Sequence, residues 1–225
     1  MQRLVLSLAL FALALVAPAP AARASDSAAI VSRAVAAIER LRSDTNFLLN
    51  VEPHLKKAKA VLIVPELLKG GFIIGAEYGN GVLLVRGPDQ NFGQPAFYTV
   101  GGGSIGLQIG AQSSEMLFLL MNDKAIKAVI ENRFRAGAGL SVAVGLLGAA
   151  GGASTTTALG ADIYAFGHAV GLFGGGAFEG TTIQPRHAFN ADYYGGQPSP
   201  DDILFKAMVA NPQSEPLRRV LVGQR

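Results

Sequence analysis

The feature that most constrains the fold is a glycine-rich segment, QPAFYTVGGGSIGLQIGAQ, at residues 94–112. After Ser104, aliphatic residues alternate with glycine or glutamine up to Gln112. A period of two residues is typical of a β-strand and does not fit a helix. Glycine inside a strand marks a sharp bend or the close approach of another backbone or a ligand. The segment therefore predicts a glycine-rich, strongly curved strand.

Two enzymatic motifs can be fitted to this segment. Gly101-x-Gly103-x-x-Gly106 matches a dinucleotide-binding loop, and Gly102-x-Ser104-x-Gly106 matches the nucleophile turn of serine hydrolases. Both motifs need a helix directly after the glycines, because the helix N-terminus supplies the N–H groups that bind phosphate or an oxyanion. The alternation predicts a strand there instead. We therefore expect no enzymatic activity, and a serine hydrolase that uses Ser104 is the least favoured alternative.

Metal and cofactor chemistry is not indicated. The chain has no cysteine, so thiol catalysis and thiolate metal sites are excluded. Its histidines, His54, His168 and His187, have no partner at the spacing of metal ligands. We expect neither a metal nor a cofactor.

The first 24 residues have the pattern of an export signal. Arg3 precedes an apolar run of 13 residues, and Ala22-Arg23-Ala24 forms a small-x-small cleavage site. The run is shorter than the roughly 20 residues that span a bilayer. We expect cleavage after Ala24 and a periplasmic protein, soluble or peripheral on a membrane. Loss of Arg3 and Arg23 lowers the formal net charge from +3 to +1, which does not suggest a nucleic-acid partner.

The rest of the chain predicts an α+β domain. An amphipathic helix is predicted over residues 27–49, with its apolar stripe either packed on the sheet or lying on a membrane surface. Further helices are predicted over residues 53–58, 123–134 (capped by Asn122) and 199–210. Between them we expect strands, two of which join in a tight turn at Gly79-Asn80-Gly81. The predicted strands are residues 60–64, 71–78, 81–85, 96–100, 105–111, 116–121, 155–159, 161–168, 169–173 and 177–182.

No flexible linker divides this pattern. Residues 137–153 are apolar but contain six glycines, which favours a buried strand and turn over a membrane span. We expect one domain over residues 25–210 and a partly ordered tail over 211–225, in which residues 217–222 form one docked turn. The predicted fold is a bent, barrel-like, glycine-rich antiparallel sheet packed with several helices.

Two groups of residues are candidates for binding. Lys56, Lys57 and Lys59, followed at a distance by Lys69, could attract anionic lipid headgroups or could be a solvated face.

The second group is polar. Gln108 and Gln112 lie on one strand face between glycines, and Glu77 and Tyr98 are candidates for the same face. The four residues form either a polar pocket or a buried hydrogen-bond network.

The glycine-rich segment also carries a family resemblance. The run PAFYTVGGGSIGLQIGAQ is similar to the SYLF domain family, and three more stretches agree in order and spacing. They are AKAVLIVPELLKGGFIIGAEYGNGVLLVR at residues 58–86, LLMNDKAIKAVI at residues 119–130, and GLFGGGAFEGTTIQPR at residues 171–186, with NADYYG beyond it. The resemblance covers about residues 30–210.

The resemblance implies a lipid-binding module, which is described as actin-binding in some eukaryotic members. Actin does not fit an exported bacterial protein. We therefore expect binding of phospholipid, or of a lipid-like amphiphile, through peripheral contact with a membrane. The alternative is a periplasmic structural or stress-related module that binds another protein through its glycine-rich sheet.

Overall fold

A computed structural model of the 225-residue chain describes residues 25–71, 74–105, 110–131, 134, 143–147, 160–167 and 180–224. The fold is α+β, as predicted, with a seven-stranded sheet between helices. The predicted leader, the strands at residues 155–159 and 169–173, and most of residues 137–153 lie outside the described residues.

The sheet has the strand order β5-β6-β4-β1-β2-β3-β7. Each neighbouring pair is antiparallel except β5 with β6, which are parallel. The strands are β1 (Ala60–Gly71), β2 (Ile74–Val85), β3 (Ala96–Ile105), β4 (Gly110–Leu120), β5 (Val144–Leu146), β6 (Ile163–Gly167) and β7 (Thr182–Pro185).

Helices cover both faces of this sheet. They are α1 (Asp26–Leu41), α2 (Glu52–Leu55), α3 (Asp123–Ile130), α4 (His187–Tyr194), α5 (Pro200–Leu204) and α6 (Glu215–Leu221). A π-helical turn over Phe47–Val51 leads into α2, and a 3-10 turn over Pro212–Ser214 leads into α6.

Two hydrophobic cores result, one on each face of the sheet. Alternate residues of β1 point to opposite faces, so Val61 and Ile63 pack with α1 and α6, whereas Leu62 and Val64 pack with α3 and α5. The apolar stripe of α1 is buried in the first core. In the structure this stripe packs on the sheet and does not lie open for a membrane surface.

Local capping fixes where three helices begin. Ser25 accepts a hydrogen bond from the Ala28 amide, and Asn122 accepts one from the Ala125 amide, as predicted for Asn122. Ser199 and Asp202 form a reciprocal capping box at α5. All four predicted helices end earlier than predicted, at Leu41, Leu55, Ile130 and Leu204. Helix α4 was not predicted because its apolar residues do not form one stripe.

The prediction of a tight turn at Gly79-Asn80-Gly81 is wrong. These residues lie inside β2, and β1 continues through Pro65 to Gly71. Between Ile63 and Leu67, β1 contains one more residue than either neighbour, which is a β-bulge that admits Pro65 into a central strand.

The glycines of β2 accommodate this bulge. A Cβ atom on Gly79 would lie 2.6 Å from the Glu66 carbonyl oxygen, and one on Gly81 would lie 2.3 Å from the Ile63 carbonyl oxygen. Both positions therefore require glycine for close approach of the β1 backbone. The side chain of Asn80 accepts a hydrogen bond of 2.8 Å from the Thr99 hydroxyl.

The predicted strands at residues 96–100, 105–111 and 116–121 are replaced by two longer strands, β3 and β4. Gly101 to Ser104 lie within β3, where Ser104 pairs with Gly75. The next described element is β4, not a helix. Ser104 is therefore not placed on a strand-to-helix turn.

The C-terminal segment is more extensively packed than the docked turn expected. Leu217, Val220 and Leu221 of α6 are buried in the first core, beside α1. Among the described residues, no helix combines the length and the apolar character needed to cross a membrane.

Candidate functional site

A groove of about 880 Å³ lies where α2 ends, β2 ends and α3 passes the end of α5. Its apolar lining includes Val85 at the end of β2, Ile126 and Ile130 on α3, and Phe205 directly after α5. Phe205 is 52% exposed. The charged lining consists of five cationic and three acidic residues: Lys56, Lys57, Lys59, Arg86, Lys127, Asp123, Glu131 and Asp201.

The acidic residues of the groove each have a lysine partner. Asp123 is 2.7 Å from the Lys59 ammonium, and Asp201 is 3.0 Å from that of Lys206. Glu131 is 3.8 Å from Lys127, one turn away on the same helical segment. These ion pairs compensate the negative charge of the groove.

Positive charge remains at one end. Lys56 and Lys57 are exposed, and among the described residues neither forms an ion pair. They lie in the turn that connects α2 to β1, whose hydrophobic anchors Leu55 and Ala58 are buried. This anchoring directs both ammonium groups outward at the edge of the groove.

Arg86 fixes that turn to the sheet. Its guanidinium donates hydrogen bonds of 2.9 Å to the carbonyl oxygens of Leu55 and Ala58, and one of 2.7 Å to that of Gln90. It also lies 4.2 Å from the ring centroid of Phe92. Burial lowers the pKa of Arg86 from its usual value, but an arginine stays charged in proteins. Because its acceptors are neutral carbonyls, its charge adds to that of the two lysines.

Lys69 does not belong to this basic cluster. It lies nine residues beyond Ala60 on β1, towards the opposite end of the strand, whereas Lys56, Lys57 and Lys59 precede the strand. Its ammonium is 2.9 Å from the Glu77 carboxylate, and the two side chains are 18% and 5% exposed. The Lys69–Glu77 pair is therefore largely buried.

The register of the sheet explains this pair. Lys69 lies directly opposite Glu77 on β2 and opposite Gln112 on β4. Glu77 also accepts a hydrogen bond from the Thr181 hydroxyl. A Cβ atom on Gly102, which pairs with Glu77, would lie 3.1 Å from that carboxylate, so glycine leaves it room.

Of the predicted polar group, the structure describes the side chains of Glu77 and Tyr98 alone, and these two do not meet. Gln108 lies outside the described residues, and for Gln112 the backbone alone is described. Tyr98 shares a sheet face with Glu77 but lies four positions further along, which is about 13 Å. Tyr98 is fully buried in the second core, and its hydroxyl has no hydrogen-bond partner among the described residues. Burial raises the pKa of Tyr98.

Within the described part of the chain, no group of three or more side chains is arranged to hold a metal ion. Asp162, a predicted strand residue, makes structural contacts instead. Its carboxylate accepts hydrogen bonds from the Asn122 side chain and the Ala143 amide, and pairs with Lys124. Burial opposes ionisation, but these contacts outweigh it and hold the pKa of Asp162 below its usual value.

The sequence identified Lys56, Lys57 and Lys59 of the groove but not Lys127, Arg86 or the apolar lining. Ile126 and Ile130 fall within the helix predicted over residues 123–134, but nothing in their spacing shows that they border a groove. Phe205 and Arg86 come from distant segments. Only the tertiary structure brings them to the lysines.

Comparison with known proteins gives one family model and several curated relatives that match the chain. Residues 101–223 match the family model described as "Ysc84: Las17-binding protein actin regulator". The chain is 29% identical over 170 residues to Protein YSC84 of Saccharomyces cerevisiae and 31% identical over 170 residues to LAS seventeen-binding protein 3 of the same species. It is 29% identical over 168 residues to SH3 domain-containing YSC84-like protein 1 of Homo sapiens.

These alignments cover 74% of this chain but smaller parts of the relatives. They span 36% of Protein YSC84, 37% of LAS seventeen-binding protein 3 and 49% of the human protein. The chain thus spans half or less of the length of these curated relatives.

Proposed function

The chain belongs to the Ysc84 family, the family of the SYLF domain that its sequence resembles, and we propose that it binds anionic phospholipid, or a lipid-like amphiphile of the same charge, at a membrane surface. The observation that carries the proposal is the groove, in which uncompensated positive charge at Lys56 and Lys57 adjoins an apolar lining. The proposed function is binding without catalysis.

The chemistry of the groove suits a phospholipid. A phosphate headgroup is attracted by ammonium groups, and each lysine close to an anionic membrane contributes about 1 kcal/mol. Phe205 offers exposed aromatic surface at the same groove, and transfer of this surface out of water is favourable. Positive charge beside apolar surface matches a membrane interface, which presents anionic headgroups beside hydrocarbon.

The proposed location is the periplasmic surface of a membrane. It rests on the export pattern of residues 1–24, with Ser25 as the first residue of the mature protein. Ser25 caps α1, so a fold that begins at this residue keeps its first helix complete.

Vesicle co-sedimentation tests the proposal. The wild-type protein should bind vesicles that contain phosphatidylglycerol, should not bind vesicles of phosphatidylcholine alone, and should bind less at high salt because mobile ions screen the attraction. Lys56→Glu/Lys57→Glu should lower the affinity at least about 30-fold, since loss of two lysines forfeits about 2 kcal/mol and the glutamates add repulsion.

A matched control carries the same charge change on the other face of the sheet. Arg33 on α1 and Arg219 on α6 are exposed, and Arg33→Glu/Arg219→Glu should retain most of the binding. Equal loss in both double variants would show that net charge alone matters and would refute the groove as the site. Binding that neither salt nor the lysine reversals weaken would move the site to another surface.

A second candidate function is protein binding. It is favoured by Leu68 and Tyr78, which pair across β1 and β2 and are 51% and 47% exposed. The names of the relatives also refer to a protein, Las17. If no vesicle binds the wild type and cross-linking captures a partner through this pair, protein binding replaces lipid binding as the function.

A further inference from the structure

We propose that the groove binds one alkyl chain of a single anionic amphiphile, so that the protein recognises an individual lipid molecule as well as a charged surface. This inference rests on the proposed function, because it uses the same lysines. It adds the class of ligand: an anionic headgroup that carries a linear hydrocarbon chain.

The apolar lining is continuous along α3. Ile126 and Ile130 are four residues apart, so they lie above one another on one face of the helix. Ile126 is buried and Ile130 is half-buried, and Val85 and Phe205 line the same groove from β2 and from the segment after α5. Three separate segments therefore present apolar surface to one space.

The groove also has a direction. The pairing of Lys59 with Asp123 ties the start of α3 to the lysine turn. Ile130 lies seven residues further along α3, about 10 Å from Asp123. An anion at Lys56 and Lys57 would thus have its chain directed along α3 towards Ile130.

Size and charge favour this occupant over a free inorganic anion. A volume of about 880 Å³ is within the range of about 300–1,000 Å³ typical of small-molecule sites. An inorganic phosphate would leave the apolar lining in contact with water. A peptide carboxylate would meet the same lysines, but the peptide has no unbranched hydrocarbon chain to fill the apolar part of the groove.

Titration with alkyl phosphates below their micelle-forming concentrations tests the inference without a membrane. The affinity should rise about fourfold for each added methylene from octyl to decyl to dodecyl phosphate, until the groove is filled. Inorganic phosphate should bind far more weakly than any of them. An affinity that does not depend on chain length would overturn the inference.

A groove-filling variant locates the chain. Ile130→Trp should weaken dodecyl phosphate binding about tenfold or more by occupying the space, while Lys56 and Lys57 keep their attraction for vesicles. Leu49→Trp, which adds the same bulk at an exposed position outside the groove, should change the alkyl phosphate affinity by less than about twofold.

A second variant guards against misfolding. Phe205→Ser replaces an exposed groove residue, so it should leave the melting curve nearly unchanged and should still weaken dodecyl phosphate binding. Unaltered binding in both Ile130→Trp and Phe205→Ser would place the chain elsewhere and overturn the inference.

The two proposals fail in different ways. If vesicles bind through Lys56 and Lys57 but alkyl phosphates show no dependence on chain length, the surface function stands and the single-lipid site is wrong. If wild-type protein binds neither anionic vesicles nor alkyl phosphates, both are wrong.

Discussion

Gly81→Ala is expected to destabilise the protein by about 3 kcal/mol, at the upper end of the usual cost of overpacking. The added Cβ atom would lie 2.3 Å from the Ile63 carbonyl oxygen and 2.9 Å from a methyl carbon of Val64. The nearer contact is with backbone, which cannot rotate away as a side chain does. Relief requires the β1 bulge to move away from β2, and chemical denaturation monitored by circular dichroism measures the loss.

A second strand glycine provides the control. A Cβ atom on Gly103 in β3 would come no closer than 3.8 Å to its nearest neighbour, the Gly75 carbonyl oxygen. Gly103→Ala should therefore be neutral or slightly stabilising, because alanine loses less chain entropy than glycine on folding. Equal stability of Gly81→Ala and Gly103→Ala would contradict the close approach of β1 and β2 at the bulge.

Lys69→Met is expected to cost about 3 kcal/mol of folding free energy. It removes the ammonium 2.9 Å from Glu77 and leaves a carboxylate that is only 5% exposed without that positive charge. Breaking a buried ion pair by removing one partner typically costs about 3–5 kcal/mol, because a charge remains in a poorly solvated position. The free energy of unfolding, measured at neutral pH, tests the value.

Two comparisons separate burial from pairing. Lys59→Met breaks the Lys59–Asp123 pair, whose side chains are 51% and 83% exposed, and should cost less than about 1 kcal/mol. Lys69→Met/Glu77→Leu removes both buried charges and should be more stable than Lys69→Met alone. If Lys69→Met lowers the free energy of unfolding no more than Lys59→Met does, the Lys69–Glu77 pair is not buried as the structure shows it.

Local signals in the sequence were sufficient for several elements. Helix caps are one such signal: the Asn122 side chain, the Ser199 hydroxyl and the Asp202 carboxylate each act over three residues. Their effect can therefore be inferred without knowing the rest of the fold. The alternation after Ser104 likewise predicts a strand, because the strand period is a property of the chain itself. The ends of that predicted strand lie in β3 and β4, and residues 106–109 lie outside the described residues.

Asn80 and its glycines show where such signals fail. An Asn-Gly pair favours a turn, yet the same residues also fit a strand whose neighbour approaches closely. The second outcome depends on the bulge at Pro65, a contact between strands that local sequence does not encode.

Lys69 and Phe205 show the same limit for the candidate site. Proximity along the chain grouped Lys69 with Lys59, but the extended strand β1 carries it away to pair with Glu77. Phe205 comes to the lysine turn from about 150 residues further along the chain, through packing of α5 against the second core. Its role at the groove follows from tertiary contacts alone.

The central claim, that the groove binds an anionic lipid, is tested most directly by native mass spectrometry of the purified protein. Wild-type protein should retain a lipid adduct with an anionic headgroup, the Arg33→Glu/Arg219→Glu variant should retain it equally, and Lys56→Glu/Lys57→Glu should lose it. A wild-type protein that carries no lipid after exposure to phosphatidylglycerol, or a Lys56→Glu/Lys57→Glu variant that carries as much as the wild type, would contradict the claim.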